Sequence, residues 1–239
     1  MPRFFLSDIN PDSPVITGED ARHILRSLRM QPGEKLILCD GQGTDYFCEI
    51  TGADSGNVTL RCLDIRQNDT EPKTKLTLFQ CLPKGEKLED IIKRAVELGI
   101  YEIVPVLSSR CVSRPDNFLK KRIRLQKIAK EAAMQSGRGI IPQVRELVRF
   151  DAAVKEASSF ERTLLFYEGT AEPLSGVLRG EERAAALIIG PEGGFEPAEV
   201  AASEKEGIKT VTMGKRILRC ETAAVTAVAL TLFLTGNMG

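Results

Sequence analysis

Tryptophan is absent from this 239-residue chain, histidine occurs once, and aromatic residues make up only 5% of it. The lone His23 excludes a multi-histidine zinc site and leaves a Ser-His-Asp triad a single possible centre, so metal-assisted hydrolysis is not expected and no metal site is assigned. So few rings also argue against a broad stacking platform of the kind that grips single-stranded nucleic acid. No membrane-length apolar run occurs: the best stretch, Ala223 to Leu234, is about 12 residues long and carries threonines, against the roughly 20 that a span needs. The opening residues MPRFFLSDINPDSP hold one arginine and a short apolar patch before turning polar, which does not make a signal peptide. Cysteines at 39, 48, 62, 81, 111 and 220 form no CxxC pair and have no histidine neighbour, so they read as reduced structural thiols. These absences together describe a cytoplasmic protein with no membrane partner. Its 42% apolar residues suffice for one large core or two unequal ones.

Charge is balanced in total, with Lys plus Arg and Asp plus Glu both at 33, but not in distribution. Arg110, Arg114, Lys120, Lys121, Arg122, Arg124, Lys127, Lys130 and Arg138 crowd one stretch that holds only Asp116 and Glu131 in opposition. Such a run is either a solvated helix face or the footprint of a nucleic-acid partner.

Periodicity changes near residue 70. Up to there, Thr17-Gly-Glu-Asp starts a helix bearing Ile24, Leu25 and Leu28. Strand-like runs follow at 35–39, 46–50 and 58–62, separated by glycine-rich turns, which predicts a compact β-barrel-like module. The polar stretch 67–73 marks a boundary, giving domains of 1–70 and 71–239. Beyond it strands are expected at 76–81, 102–106, 163–167, 185–189 and 210–213. They alternate with helices at 86–98, 117–135, 151–158, 197–206 and 221–234, the grammar of a parallel sheet covered on both faces. Ligands of such sheets sit in the loops at the carboxyl ends of strands.

Two such loops stand out. Gly190-Pro-Glu-Gly-Gly-Phe195 leaves an apolar strand and enters a helix through Pro197. It has neither the GK[ST] of a phosphate loop nor the GxGxxG spacing, so it is a tight turn or a close backbone approach to some other ligand. Met213-Gly-Lys-Arg-Ile-Leu-Arg-Cys-Glu-Thr-Ala223 runs from a strand into a helix of small residues, where Glu221 and Thr222 suit an N-terminus.

These two loops together resemble the paired signature of the RsmE family, the 16S ribosomal RNA uridine-N3 methyltransferases of the SPOUT superfamily. His23-Ile-Leu-Arg-Ser-Leu-Arg29 with Pro32-Gly33, Lys84 with Glu97-Leu-Gly99, and Glu131-Ala-Ala-Met-Gln-Ser-Gly-Arg138 before Pro142 extend the likeness over nearly the whole chain. One departure is Cys220, where the family commonly has threonine.

The resemblance implies an α/β fold: a trefoil-knotted parallel-sheet domain behind a small PUA-like β-barrel domain, assembled as a homodimer. It implies S-adenosyl-L-methionine as cofactor, held by Leu165, Glu168, Gly190, Pro191, Glu192, Gly193, Gly194, Met213, Gly214, Ile217, Leu218, Arg219, Thr222 and Ala223. It implies methylation of a specific uridine of 16S rRNA in the small ribosomal subunit. Arg219 would steady negative charge on the uracil, and Glu221 or Glu192 would accept the proton or orient the group that does. Arg3, His23, Arg26, Arg29, Arg110, Arg114, Lys120, Lys121, Arg124, Gln135 and Arg138 would contact RNA. Rival readings are a knotted methyltransferase acting on another atom such as a ribose 2′-hydroxyl, a non-catalytic RNA-binding protein, and a magnesium-dependent phosphotransferase, for which the chain lacks a lysine-bearing phosphate loop.

Overall fold

The computed structural model describes residues 1–54, 56–115 and 117–238; Ser55, Asp116 and Gly239 lie outside the described residues. Two compact units result, one of residues 1–71 with 133–141, the other of residues 72–132 with 142–239. The segment 133–141 thus groups with the first unit, although the change of periodicity placed it in the second.

In the first unit, strands β1 (Arg3–Phe5), β2 (Val15–Thr17), β3 (Lys35–Cys39), β4 (Thr44–Ala53) and β5 (Asn57–Gln67) form one sheet in the order β1-β3-β4-β5-β2. Only β1 and β3 run parallel; the other pairs are antiparallel, and β4 carries two register irregularities against β5. Among the described residues β1 and β2 remain as edges, so the pairing does not close into a complete barrel. Thr17 is the extended residue before helix α1 (Gly18–Arg22), which continues as one π-helical segment, His23–Leu28. Phe4 and Ile16 of the short strands, alternate residues Leu36, Leu38, Ile50 and Val58 of β3, β4 and β5, and Ile24 of that segment form the unit's buried core.

The second unit begins with β6 (Lys75–Cys81), α2 (Lys87–Leu98) and β7 (Glu102–Leu107). Its remaining elements are α3 (Leu119–Ser136), β8 (Gln143–Val144), β9 (Val148–Arg149), α4 (Phe150–Ala157), β10 (Arg162–Phe166), β11 (Ala184–Ile189), α5 (Pro197–Lys205), β12 (Lys209–Val211) and α6 (Cys220–Leu234). All its strand pairs are parallel, in the order β12-β10-β11-β6-β7-β8, with β9 also on β7. The near-continuous burial of β6, β7, β10 and β11 is what a sheet covered on both faces requires. The short pieces β1, β2, β8 and β9 escaped the sequence reading because two or three residues carry no periodicity.

Two glycines fix the frame. Gly99 ends α2 in the left-handed region at φ 110°, and a Cβ there would lie 2.5 Å from Pro72 Cγ. Gly194 takes φ 67° in the turn after β11, where its N–H donates to Pro191 O at 3.0 Å. Among the described residues no helix is long and apolar enough to cross a membrane.

Candidate active site

Strands β10, β11 and β12 are neighbours, so the segments leaving their carboxyl ends converge. Between them lies a cavity of about 410 Å³ with walls of Phe166, Ile189, Phe195, Leu218 and Ala223. Lys87, Glu168, Glu192 and Arg219 also line it, as do Gly190, Pro191, Gly194, Ile217 and Cys220. A smaller recess of about 100 Å³ shares Phe166, Glu168, Ile217, Leu218 and Ala223 with it and adds Met213 and Gly214. Apolar walls with a few convergent charges suit a flat, partly apolar ligand carrying a charged group.

Each loop is built to hold its shape. The turn after β11 enters α5 through a capping box, in which the Glu196 side chain takes the Glu199 N–H and Glu199 Oε2 takes the Glu196 N–H at 2.9 Å. Glu199 is buried, and its Oε1 also accepts the Ser109 N–H at 2.8 Å. Arg110 donates to Glu196 Oε1 at 2.9 Å and to Gly193 O at 2.8 Å, tying the end of β7 to this turn. After β12, Gly214 sits at φ 111° and donates to Thr212 Oγ1 at 3.2 Å. Arg219 is the N-cap of α6 but offers no side-chain cap.

Charge in the cavity is organised around Lys87. Its Nζ donates to Glu192 Oε1 at 2.9 Å and stands 3.3 Å from Glu221 Oε2. Burial works against the Glu192 carboxylate, yet the Lys87 ammonium and the backbone N–H of Glu192 and Lys84 outweigh it and hold that carboxyl below the ordinary range. Glu221 is also lowered, first by its own backbone N–H and then, against slight burial, by the Cys220 thiol and Lys87. Lys87 is raised, first by Glu192 and then, against desolvation, by Glu221. Burial pushes the Cys220 thiol up to about 12, and it donates to Glu221 Oε2 at 3.2 Å. Among the described residues Arg219 makes no ion pair, whereas Lys87 pairs with both Glu192 and Glu221.

A family model described as an RNA methyltransferase domain matches residues 70–232, and one described as an RNA methyltransferase PUA domain matches residues 16–62. Ribosomal RNA small subunit methyltransferase E of Bacillus subtilis (strain 168) is 34% identical over 230 residues, covering 92% of this chain and 90% of its own. This chain belongs to the methyltransferase E family. The Mycobacterium tuberculosis member is 31% identical over 243 residues, with 98% and 92% covered. A methyltransferase E crystal structure from Neisseria gonorrhoeae, bound to S-adenosyl methionine, matches at TM-score 0.91 and 32% identity over 98% of both chains. A putative methyltransferase from Legionella pneumophila with bound S-adenosylmethionine matches at TM-score 0.90 and 29% identity, covering 97% and 96%.

Of the positions that the methyltransferase E resemblance named for cofactor, the cavity and its recess gather all but three. Leu165 lies wholly inside the sheet core, Thr222 is exposed on α6, and Gly193 packs on Arg110. Phe166, within the 165–168 wall that the resemblance implied, lines it too, as do Ile189, Phe195 and Cys220 of the signature loops, to which no cofactor role was given; Lys87 was passed over. Lys87 had a readable signal: it opens a helix, where the dipole disfavours a cation.

Several residues expected on RNA have their charge engaged elsewhere. Arg138 is 2% exposed and donates to Glu71 from Nε at 2.9 Å and Nη2 at 2.6 Å. Arg3 forms a buried pair with Asp45, donating from Nη2 at 2.7 Å. Arg110 holds the signature turn, Arg114 donates to Ser109 O at 2.7 Å, and Arg124 pairs with Glu89 at 2.9 Å. His23, Arg26, Arg29, Lys120 and Gln135 are exposed and Lys121 is half-buried. Arg29 is the one non-glycine residue with positive φ, 55°, among those described.

Proposed function

We propose that this protein transfers a methyl group from S-adenosyl-L-methionine to small-subunit ribosomal RNA, with N3 of a specific uridine as acceptor. The observation that carries the reading is the meeting of the two signature loops around one cavity. The fold is the one in which the Neisseria relative binds S-adenosyl methionine. The residues present fit that cofactor. Apolar walls of Phe166, Ile189, Leu218 and Ala223 match an adenine, and the Glu168 carboxylate matches a sulfonium or an ammonium. When bound, the cofactor supplies an electrophilic methyl group for in-line displacement.

This chain's own residues then have to place uracil N3 in line and deal with its proton. Glu192 and Glu221, held below the ordinary carboxylate range, are weak bases at neutral pH and fit orienting roles better than proton acceptance. Arg219, lining the cavity with its charge unpaired, is placed to stabilise the uracil anion spread over O2 and O4. His23, Arg26 and Arg29 supply RNA phosphate contacts from the small unit, and Lys120 and Lys121 from α3. The same reading takes the C-terminal strands and α6 as a trefoil knot, the working form as a homodimer, and the location as the cytoplasm, where ribosomes are.

Calorimetric titration with S-adenosylmethionine, and separately with ATP and magnesium, tests it. It is followed by transfer of labelled methyl to unmodified small subunits and identification of the nucleoside. Selective cofactor binding and 3-methyluridine are expected. A 2′-O-methyl product would replace the acceptor, and ATP binding without S-adenosylmethionine binding would overturn the reading.

A further inference from the structure

Helix α2 begins with a cation, although the first turn of a helix favours anions and this one already has Glu89 and Asp90. A lysine at that position needs compensation, and it comes from outside the helix. Glu192 belongs to the loop after β11 and Glu221 to the first turn of α6, and Lys87 reaches both, at 2.9 and 3.3 Å. Glu192 is fastened to the same corner by the Lys84 N–H, 3.2 and 3.3 Å from its two oxygens. Two loops between which no hydrogen bond runs among the described residues are therefore tied to a common post, and the post itself lines the cavity between them.

We propose that Lys87 is a positioning residue that latches the two signature loops at the spacing the cofactor requires. The inference rests on the cofactor-binding reading above. Without the ammonium, two carboxylates would face each other across the cavity wall, and the loops would separate or spend binding free energy on being brought together. The latch acts before chemistry, so its loss falls on cofactor affinity rather than on the turnover of a saturated enzyme.

The test uses the full chain with Lys87→Met and Lys87→Arg, read by calorimetric affinity for S-adenosylmethionine, by KM against kcat on small subunits, and by urea unfolding. For Lys87→Met, affinity and KM for the cofactor should worsen at least tenfold, with kcat at saturation within threefold and the urea midpoint little moved. Lys87→Arg should recover most of the affinity. Glu221→Gln should weaken binding in the native background and have little further effect beside Lys87→Met, because the contact is already gone. Affinity within twofold of wild type for Lys87→Met overturns the proposal, as does full additivity with Glu221→Gln. If Lys87→Met does not fold, Glu221→Gln decides it: unchanged affinity in that variant overturns the latch. Failure of the wild-type protein itself to bind S-adenosylmethionine removes the functional reading and the latch together, whereas wild-type binding with an indifferent Lys87→Met removes only the latch.

Discussion

Replacing Arg138 with methionine asks whether a basic residue of the 110–138 stretch serves RNA or the fold. The guanidinium is 2% exposed and makes two charge-assisted bonds to Glu71, at 2.9 and 2.6 Å. Bonds of this type contribute about 1.5 to 3 kcal/mol each, and removing one partner of a buried pair costs about 3 to 5 kcal/mol. The lower end applies, because the Glu71 side chain is 23% exposed and keeps the Gly139 N–H at 2.9 Å and the Ile140 N–H at 3.3 Å. A loss of about 3 kcal/mol is expected, roughly a 150-fold fall in the folding constant of the first unit. With urea slopes of about 1 to 3 kcal/mol per molar, the midpoint should drop by roughly 1 to 3 M. Glu71→Met combined with Arg138→Met should recover part of the loss, since an apolar pair leaves no charge stranded. At temperatures where the variant stays folded, the salt dependence of RNA binding should be unchanged. An unmoved urea midpoint, together with a log K against log salt slope shallower by about 1, would refute the argument and return Arg138 to the phosphate-contacting set.

Three further outcomes follow from the same geometry. Gly99→Ala combines a left-handed backbone at φ 110° with a Cβ placed 2.5 Å from Pro72 Cγ, and should cost about 3 kcal/mol in urea unfolding. Arg219→Ala should keep the fold and cofactor affinity within about threefold while lowering kcat at least about a hundredfold, as loss of one preorganised charge donor does; full turnover would remove Arg219 from the chemistry. Glu192 and Glu221 have folded pKa values below their unfolded ones, so their stabilisation is complete above the ordinary carboxylate range and is lost as pH falls through the folded values. Accordingly, Glu192→Gln with Glu221→Gln should flatten the acid limb of melting temperature against pH, and an unchanged limb would count against the shifts.

The element grammar was legible because it is local. Strand β3 spans the predicted 35–39, and α2, β6, β7, β11 and α6 fall within a residue or two of the runs that announced them. The two loops at the carboxyl ends of β11 and β12 were also readable, since glycine, proline and helix-start residues act on their immediate neighbours. Availability of charge was not readable. Composition leaves the basic run from Arg110 to Arg138 as either a solvated face or a nucleic-acid footprint, whereas folding engages several of its charges with Glu196, Glu89, Glu71 and backbone carbonyls.

What the sequence determined by itself is therefore the order of strands and helices, the change of periodicity near residue 70 and the positions of the ligand loops, all set by interactions within a few residues. The tertiary structure alone decided which charges are free. Arg3 meets Asp45 across 42 positions, Arg138 meets Glu71 across 67, and Lys87 meets Glu192 across 105. No spacing rule spans such separations, because these partners come together only when sheet order and loop closure have fixed where each segment lies.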